Sequence, residues 1–541
     1  MKIALLTSRL AYGDVYRKAR EVKEKYSNIT INVYALPIEV IAGLDVELMK
    51  KLILKDNELF KKLRESDVIL IPGTVKGDAY VLEDLIGKKV YKATRSIELL
   101  ENVIKYIIEG KELDRIKPAE DVITNTIIEL VKKFVSIKIK NNVAFEINGL
   151  KIPFRGPPIV IASETSTSLS PEKAGEQALM FEEEGADIIV IGIPFNEDQS
   201  SYRKRIDYVL KKVNKAVVGI ESENPKAIVY GIEHGVSIVF GLYPSIMDNF
   251  VRYKREVAFT VLPCDFKDGV YPSSWRDSIN FLLNNIAKAE NLGFEKIAAD
   301  LILHPPLKGF VKSIVAYYLA RDKVDKPLAA CISNITELFE ADSHSINALL
   351  SAIACEVGLS ILSITEDSWR TRYSTLETRV GLAMNYSALA QKNYPLNVGV
   401  DLCVVKESIK PKSSLDLLYN ANDIKDVARN SYKEKLDNWG YVLIGIDYDE
   451  NKIIACIVKY SGSKICYLGS KAKNILYRIL SDHKEFSQKH AGYLGAELEK
   501  AEIALKLGIK YVQDEDLFKK LYDFYKDKIK DIDLRLYSKQ S

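Results

Sequence analysis

Carboxylates recur in this 541-residue chain where apolar runs stop. Glu164 follows IVIAS (159–163), Glu221 closes AVVGIE, Asp265 comes just after AFTVLP (258–263), and Asp300 interrupts KIAADLIL (296–303). Glu337 and Asp342 follow PLAACIS (327–333), and Glu366 and Asp367 follow LSILSIT (359–365). A carboxylate in such a place needs donors, a cation, or a pKa raised by its surroundings. Ser163 and Asn334 stand at two of the same run ends, where a hydroxyl and an amide can both donate and accept. Ser163, Glu164, Glu221, Asp300, Asn334, Glu366 and Asp367 are the candidate substrate-binding residues. Glu366 and Asp367 have a second reading, as caps on the helix that follows them. No residue stands out as a catalytic nucleophile or base.

The elements that must position these residues are regular. Eight strand-like runs begin at residues 159, 187, 216, 237, 258, 296, 327 and 359, and each is followed by a helical segment such as PEKAGEQALMFEEEG or SWRDSINFLLNNIAKAENLG. Four of the helices run into glycine before the next strand, at Gly185, Gly235, Gly293 and Gly358, as expected where the C′ position takes positive φ. Eight βα units in about 230 residues predict a (β/α)₈ TIM barrel, whose chemistry sits at the strand C-terminal ends. All the acids named above would then share one mouth.

Outside the barrel, KIALLT, TINVYAL, DVILIPG and KKVYKAT alternate with helical stretches and predict a small doubly wound parallel sheet. Arg9, Gly77 and Asp78 lie in its strand-end loops, where a ligand site and plain turn duty compete. The runs YVLIGIDYD, KIIACIVKY and KICYLGS predict a meander, followed by two helical stretches. In the second of these, Leu494, Leu498, Ala501 and Leu505 form an apolar stripe, with His490, Tyr493, Glu497 and Glu499 as polar members. The expected fold class is α/β: residues 1–115 as a Rossmann-like α/β domain, 116–156 as a connector, 157–390 as the barrel, and 391–541 as an α+β domain.

Composition removes several classes. Lys and Arg number 77 against 74 acids, and apolar residues make up 47%. There is no clustered basic footprint for nucleic acid and no apolar run of about 20 residues for a membrane span. A cytoplasmic protein without nucleic-acid or membrane partners is expected, and a homodimer is compatible with the sequence. The six cysteines lie mostly in apolar runs and form no C-x-x-C pair, so they read as small buried hydrophobes rather than as disulfides or metal ligands. With five histidines, none at H-x-x-x-H spacing, no metal site is expected. The C-terminal stretch LFKKLYDFYKDKIKDIDLRLYSK interleaves acids with bases and reads as a solvated helix face.

Three stretches resemble the pterin-binding barrel family that includes dihydropteroate synthase. IVIASETSTSLSPEKAGEQALMFEEEGADIIVIG is similar to the family's first strand-loop and its GADIIDIG segment. VVGIESENPKAIVYGIEHGVSIV is similar to its I-S-V-D-T strand, with Glu221 at the place of a ring-binding Asp. KIAADLILHPPLKGF is similar to I-I-L-D-P-G-x-G-F, with Asp300 where the family grips the pterin amino and N3 groups. Over nearly its whole length the chain resembles archaeal dihydropteroate synthase-related proteins, most specifically in SNITELFEADSHSINALLSAIACEVG. The resemblance implies a small-molecule reduced pterin as substrate or cofactor, in archaeal folate or methanopterin metabolism. It further implies a transferase that condenses a hydroxymethyl-dihydropterin diphosphate with an aryl amine, with Mg²⁺ offsetting the diphosphate charge. One-carbon transfer from a methyl-tetrahydropterin and a non-catalytic pterin-binding role are the alternatives. The synthase's Lys after strand seven is absent. So is its Arg-x-His pair after strand eight, where Thr365, Glu366 and Asp367 stand instead; Lys308, Arg370 and Arg372 could compensate only by folding inward.

Overall fold

The computed structural model describes residues 1–403, 439–515 and 517, apart from Ser27, Val40, Ala42, Gly43, Phe195, Asp449 and Lys510, and apart from the side chains of residues 124–126. Apart from Leu517, the charged stretch read as a helix at the C-terminal end lies outside the described residues. The chain divides into two compact units, Met1–Ile409 and Lys410–Ser541. Among the described residues no helix is long and apolar enough to cross a membrane.

The first unit opens with β1 (Lys2–Thr7), β2 (Thr30–Ala35), β3 (Val68–Ile71) and β4 (Lys89–Lys92), a parallel sheet in the order β2-β1-β3-β4. The period of two along a strand explains why residues 3–6 of KIALLT are all apolar: Ile3 and Leu5 enter one apolar layer, Ala4 and Leu6 the opposite one. The loop residues of this sheet serve turns. Asp78 accepts the Tyr80 N–H at 2.9 Å, Arg9 pairs with Glu39 at 3.4 Å on the open surface, and Gly77 takes φ 93° against Val46.

Residues 116–156 hold more than a connector. After the helix Thr124–Ile139 come β5 (Val143–Ile147) and β6 (Leu150–Pro153), an antiparallel hairpin turned by Asn148 and Gly149 at φ 47° and 85°. Two successive positive φ values are what the tight hairpin turn requires, and Asn-Gly is the dipeptide that supplies them most readily. Asn148 Nδ2 donates to Ser237 Oγ at 2.7 Å, just before a barrel strand begins. Ile147 and Ile152, 1% and 0% exposed, pack with lumen residues from all eight barrel strands and form the floor of the barrel.

The barrel strands are β7 (Val160–Glu164), β8 (Ile188–Gly192), β9 (Val217–Glu221), β10 (Ile238–Leu242), β11 (Ala258–Val261), β12 (Ile297–Asp300), β13 (Leu328–Cys331) and β14 (Ile361–Thr365). They pair in parallel and close, β14 onto β7, as the eight-unit count predicts. Alternate residues divide cleanly: Ala162, Val190, Ala298 and Ala329 face the lumen, while Ile161, Ile191, Ala299 and Ala330 face the helical layer. The fourth unit departs from the pattern, since a 3₁₀ helix, Pro244–Tyr253, follows β10.

The second unit contains β15 (Gly440–Asp447), β16 (Lys452–Lys459) and β17 (Lys464–Gly469) as an antiparallel meander, then the helices Ala472–Asp482 and Gln488–Leu507. The predicted stripe Leu494, Leu498, Ala501 and Leu505 faces the sheet. One expectation is overturned here. Cys456 and Cys466 are not free hydrophobic thiols; they lie directly opposite one another on β16 and β17 and are joined as a disulfide. Cys264, Cys331 and Cys355 are free thiols.

Candidate functional site

Parity along the strands decides which candidates meet. Glu164, Glu221 and Asp300 each close a strand in register with lumen residues (Ala162, Gly219 and Ala298), so their carboxylates enter the barrel mouth. Ser163 does not join them. Neighbours on a strand point to opposite faces, and Ser163, fully buried, bonds Thr375 Oγ1 at 2.9 Å in the helical layer.

Asp300 is the most tightly held of the three. Its Oδ1 accepts the Tyr317 hydroxyl at 2.5 Å and the Ile302 N–H at 2.6 Å. The second bond holds Ile302 at φ 61°, a left-handed conformation costly for a β-branched residue. The Tyr317 hydroxyl also accepts the Leu301 N–H at 3.1 Å and lies 2.9 Å from the Ala329 carbonyl, which locks its position. Among the described residues Oδ2 of Asp300 has no hydrogen bond and is left for the lumen. Burial raises the Asp300 pKa to about 6 against the lowering effect of its two donors.

Glu164 and Glu221 have no hydrogen-bond partner among the described residues. Glu221 is surrounded by protein atoms yet exposed toward the mouth. Desolvation, and then the charge of Asp300, raise it to about 7. Glu164 is raised well above the carboxylate range by desolvation first, then by Glu221 and Asp367. Gly192 at the end of β8 makes room for it, because a Cβ there would stand 2.8 Å from Glu164 Oε1. The free thiol of Cys331 ends β13 among the three carboxylates, and its pKa is raised by burial and by their charges.

The remaining candidates are spread differently. Asn334 lies on the short helix Ser333–Thr336, and its Nδ2 donates to the Leu303 carbonyl at 2.8 Å, fixing the loop that follows β12. Glu366 turns away from the mouth: its two oxygens accept the Tyr373 and Thr375 N–H groups, both at 2.9 Å, and so cap the helix Ser374–Ala390. Asp367 is exposed at the rim, with a side chain near enough to Glu164 to raise its pKa. Asp265, expected at the mouth, is instead taken up by the 3₁₀ helix Pro244–Tyr253 of the preceding unit, accepting the Ser245 N–H at 2.7 Å and the Ser245 hydroxyl at 2.5 Å. Glu337 Oε1 accepts the Asp367 N–H at 2.8 Å and holds the loop after β14.

Neither arginine named as a substitute pairs with Glu164, Glu221 or Asp300. Arg370 donates to the Glu337 carbonyl at 2.8 Å and pairs with Glu340 at 3.5 Å, while the Arg372 guanidinium lies over the Trp369 and Tyr373 rings at 5.2 and 4.7 Å. Lys308 is exposed on its loop. Among the described residues no group of three or more His, Cys, Asp or Glu stands close enough to hold a metal ion, so Mg²⁺ has no protein site of that kind there. Tyr317 and Cys331 are the site members that sequence reading missed. The only signals were an inward position in a helix stripe and a strand end in register with Ala329.

In the second unit the polar members of the last helix are occupied structurally. Glu497 Oε2 accepts the Tyr511 hydroxyl at 2.8 Å, Tyr493 donates to Asp514 at 2.7 Å, His490 stacks on Trp439, and Glu499 is exposed.

A family model described as PterinBD-DUF4346 matches residues 436–514. Among curated proteins, the uncharacterized protein MJ0107 of Methanocaldococcus jannaschii is 29% identical over 531 residues, covering 96% of this chain and 99% of its own. Among solved structures, the chain is similar to Yersinia pestis dihydropteroate synthase with a pterine-sulfa conjugate, at 13% identity and TM-score 0.36 over 45% of this chain and 98% of that one. It is also similar to Thermus thermophilus dihydropteroate synthase in complex with 6HMPPP, at 19% identity and TM-score 0.32 over 41% and 92%. Mycobacterium tuberculosis Rv1207 gives 12% identity and TM-score 0.34 over 46% and 97%. The pterin-linked family model thus falls on the second unit, and the M. jannaschii protein is similar to this chain from end to end.

Proposed function

We propose that the barrel binds a reduced pterin at its mouth. The observation that carries this reading is Asp300: one oxygen locked by Tyr317 and the Ile302 N–H, the other left for the lumen beside Glu221. A pterin presents a 2-amino group next to N3–H, and adjacent donors of that kind suit a held carboxylate. The sequence resemblance at Asp300 and Glu221 supports the same assignment, with Asn334 holding the loop beside them.

Of the reactions the resemblance implies, condensation with loss of diphosphate calls for cations at the rim and for Mg²⁺ brought by the substrate. Thr365, Glu366 and Asp367 stand at that rim, and the nearby arginines are engaged elsewhere. One-carbon transfer from a methylated tetrahydropterin makes no such demand, and this observation favours it as the second reading. Titration calorimetry of the full chain with dihydropterin and tetrahydropterin tests the proposal. Micromolar binding that Asp300→Asn weakens supports it; no heat from any reduced pterin overturns it.

A further inference from the structure

The charged groups acting on the three mouth carboxylates are themselves carboxylates: Glu221 and Asp367 on Glu164, and Asp300 on Glu221. Asp367 is the outermost of them, exposed two residues past Thr365, which pairs with Glu164 across β14 and β7, and anchored through its backbone N–H to Glu337 at 2.8 Å. A second, independent mark of a ligand lies one register step deeper. Thr260 on β11 pairs with Ala298, two residues before Asp300, and shares the lumen face of Ala258. It is 1% exposed, and its hydroxyl has no hydrogen-bond partner. Buried hydroxyls are seldom left unpaired, and this one faces the barrel interior beneath the carboxylates.

We propose that Asp367, with Glu164 behind it, is a specificity-determining charge at the mouth that admits pterins with an uncharged side-arm and rejects those carrying a phosphate or diphosphate. The proposal rests on the pterin reading above. A ring held by Asp300 and Glu221 lies in the lumen above Thr260, and its side-arm passes outward along Glu164 and Asp367. A phosphate on that arm meets the negative charge of Asp367, which has no paired cation among the described residues, and repulsion between like charges at close range separates the two kinds of side-arm.

The test is calorimetry on the full chain at about 0.15 M salt, the ionic strength at which only near charges still act, with hydroxymethyl-dihydropterin and with its diphosphate, each with and without Mg²⁺. The expected result is at least tenfold tighter binding of the uncharged form under both conditions. Asp367→Asn should narrow that gap by raising affinity for the diphosphate. Equal or tighter binding of the diphosphate, in either condition, overturns this proposal and leaves the pterin reading intact. A gap unchanged by Asp367→Asn removes Asp367 from the role. Failure of both compounds while a tetrahydropterin binds overturns this proposal alone, whereas no heat from any of the three defeats the pterin reading itself.

Discussion

Carboxylates set in among protein atoms occur in both units of the molecule, and their environments are opposite. In the second unit Glu502, 7% exposed, is held down to about 2 by Lys506 first, with further help from the Ala472 N–H at 2.8 Å and from Lys471. At the barrel mouth Glu164 and Glu221 have no donor or cation among the described residues, and their pKa values rise. The first arrangement joins two helices and is complete. The second leaves acceptors unfilled in a fold whose strand C-terminal ends carry the chemistry. A carboxylate whose partners are all within the chain is part of the scaffold; one lacking them marks the place for something else.

The largest effect that separates the two regions is expected at Asp300. Asp300→Asn removes a charged acceptor and should weaken reduced-pterin binding about 10- to 100-fold, as loss of a charge-assisted hydrogen bond does, with little change in thermal unfolding. Calorimetry and a melt on one preparation check both halves. Glu502→Gln should do the reverse, costing about 1.5–3 kcal/mol locally and leaving pterin affinity alone. Faster amide exchange in the helix Ala472–Asp482 would register it, and unchanged exchange would mean the pairing contributes little.

The pH responses also oppose each other. Glu221 and Asp300 accept ligand N–H groups only as carboxylates, so pterin affinity should fall as pH drops below about 7 and again below about 6; titrations from about pH 5 to about pH 8.5 span both steps. For stability the signs differ. Glu221 is raised above its unfolded value, so the empty barrel loses stability as pH rises from about 4.5 to 7. Glu502 is depressed, so its contribution is present above the unfolded carboxylate pKa and lost as pH falls toward about 2. The smallest effect is Glu164→Gln: a side chain whose pKa is raised well above the ordinary carboxylate value is already neutral, so barrel stability in denaturant unfolding should change by no more than about 0.5 kcal/mol; a clear loss would mean that Glu164 has a structural partner.

The barrel was legible because the apolar runs are short and each is followed by a helical segment, and parity then selects Glu164, Glu221 and Asp300. Parity also excludes Ser163, since adjacent strand residues cannot both face the lumen. Reading strand ends without parity missed this. Glu366, for which helix capping was the second reading, and Asp265 leave the mouth for another reason: whether a loop acid turns inward or binds nearby backbone N–H groups depends on loop conformation, which run lengths do not encode. The floor hairpin did carry a signal, Asn148-Gly149 between two alternating runs. The disulfide carried a weaker one, two cysteines on strands that a meander sets side by side.

The hairpin that closes the lumen has a kinetic consequence. With Ile147 and Ile152 filling the far end, the cavity is blind, and whatever enters by the mouth must leave by it. On the pterin reading proposed above, a second reactant could not approach from behind a bound ring and would have to arrive on the same side, after the ring is seated. A barrel stoppered at its base then predicts an ordered sequence, with the ring first in and last out.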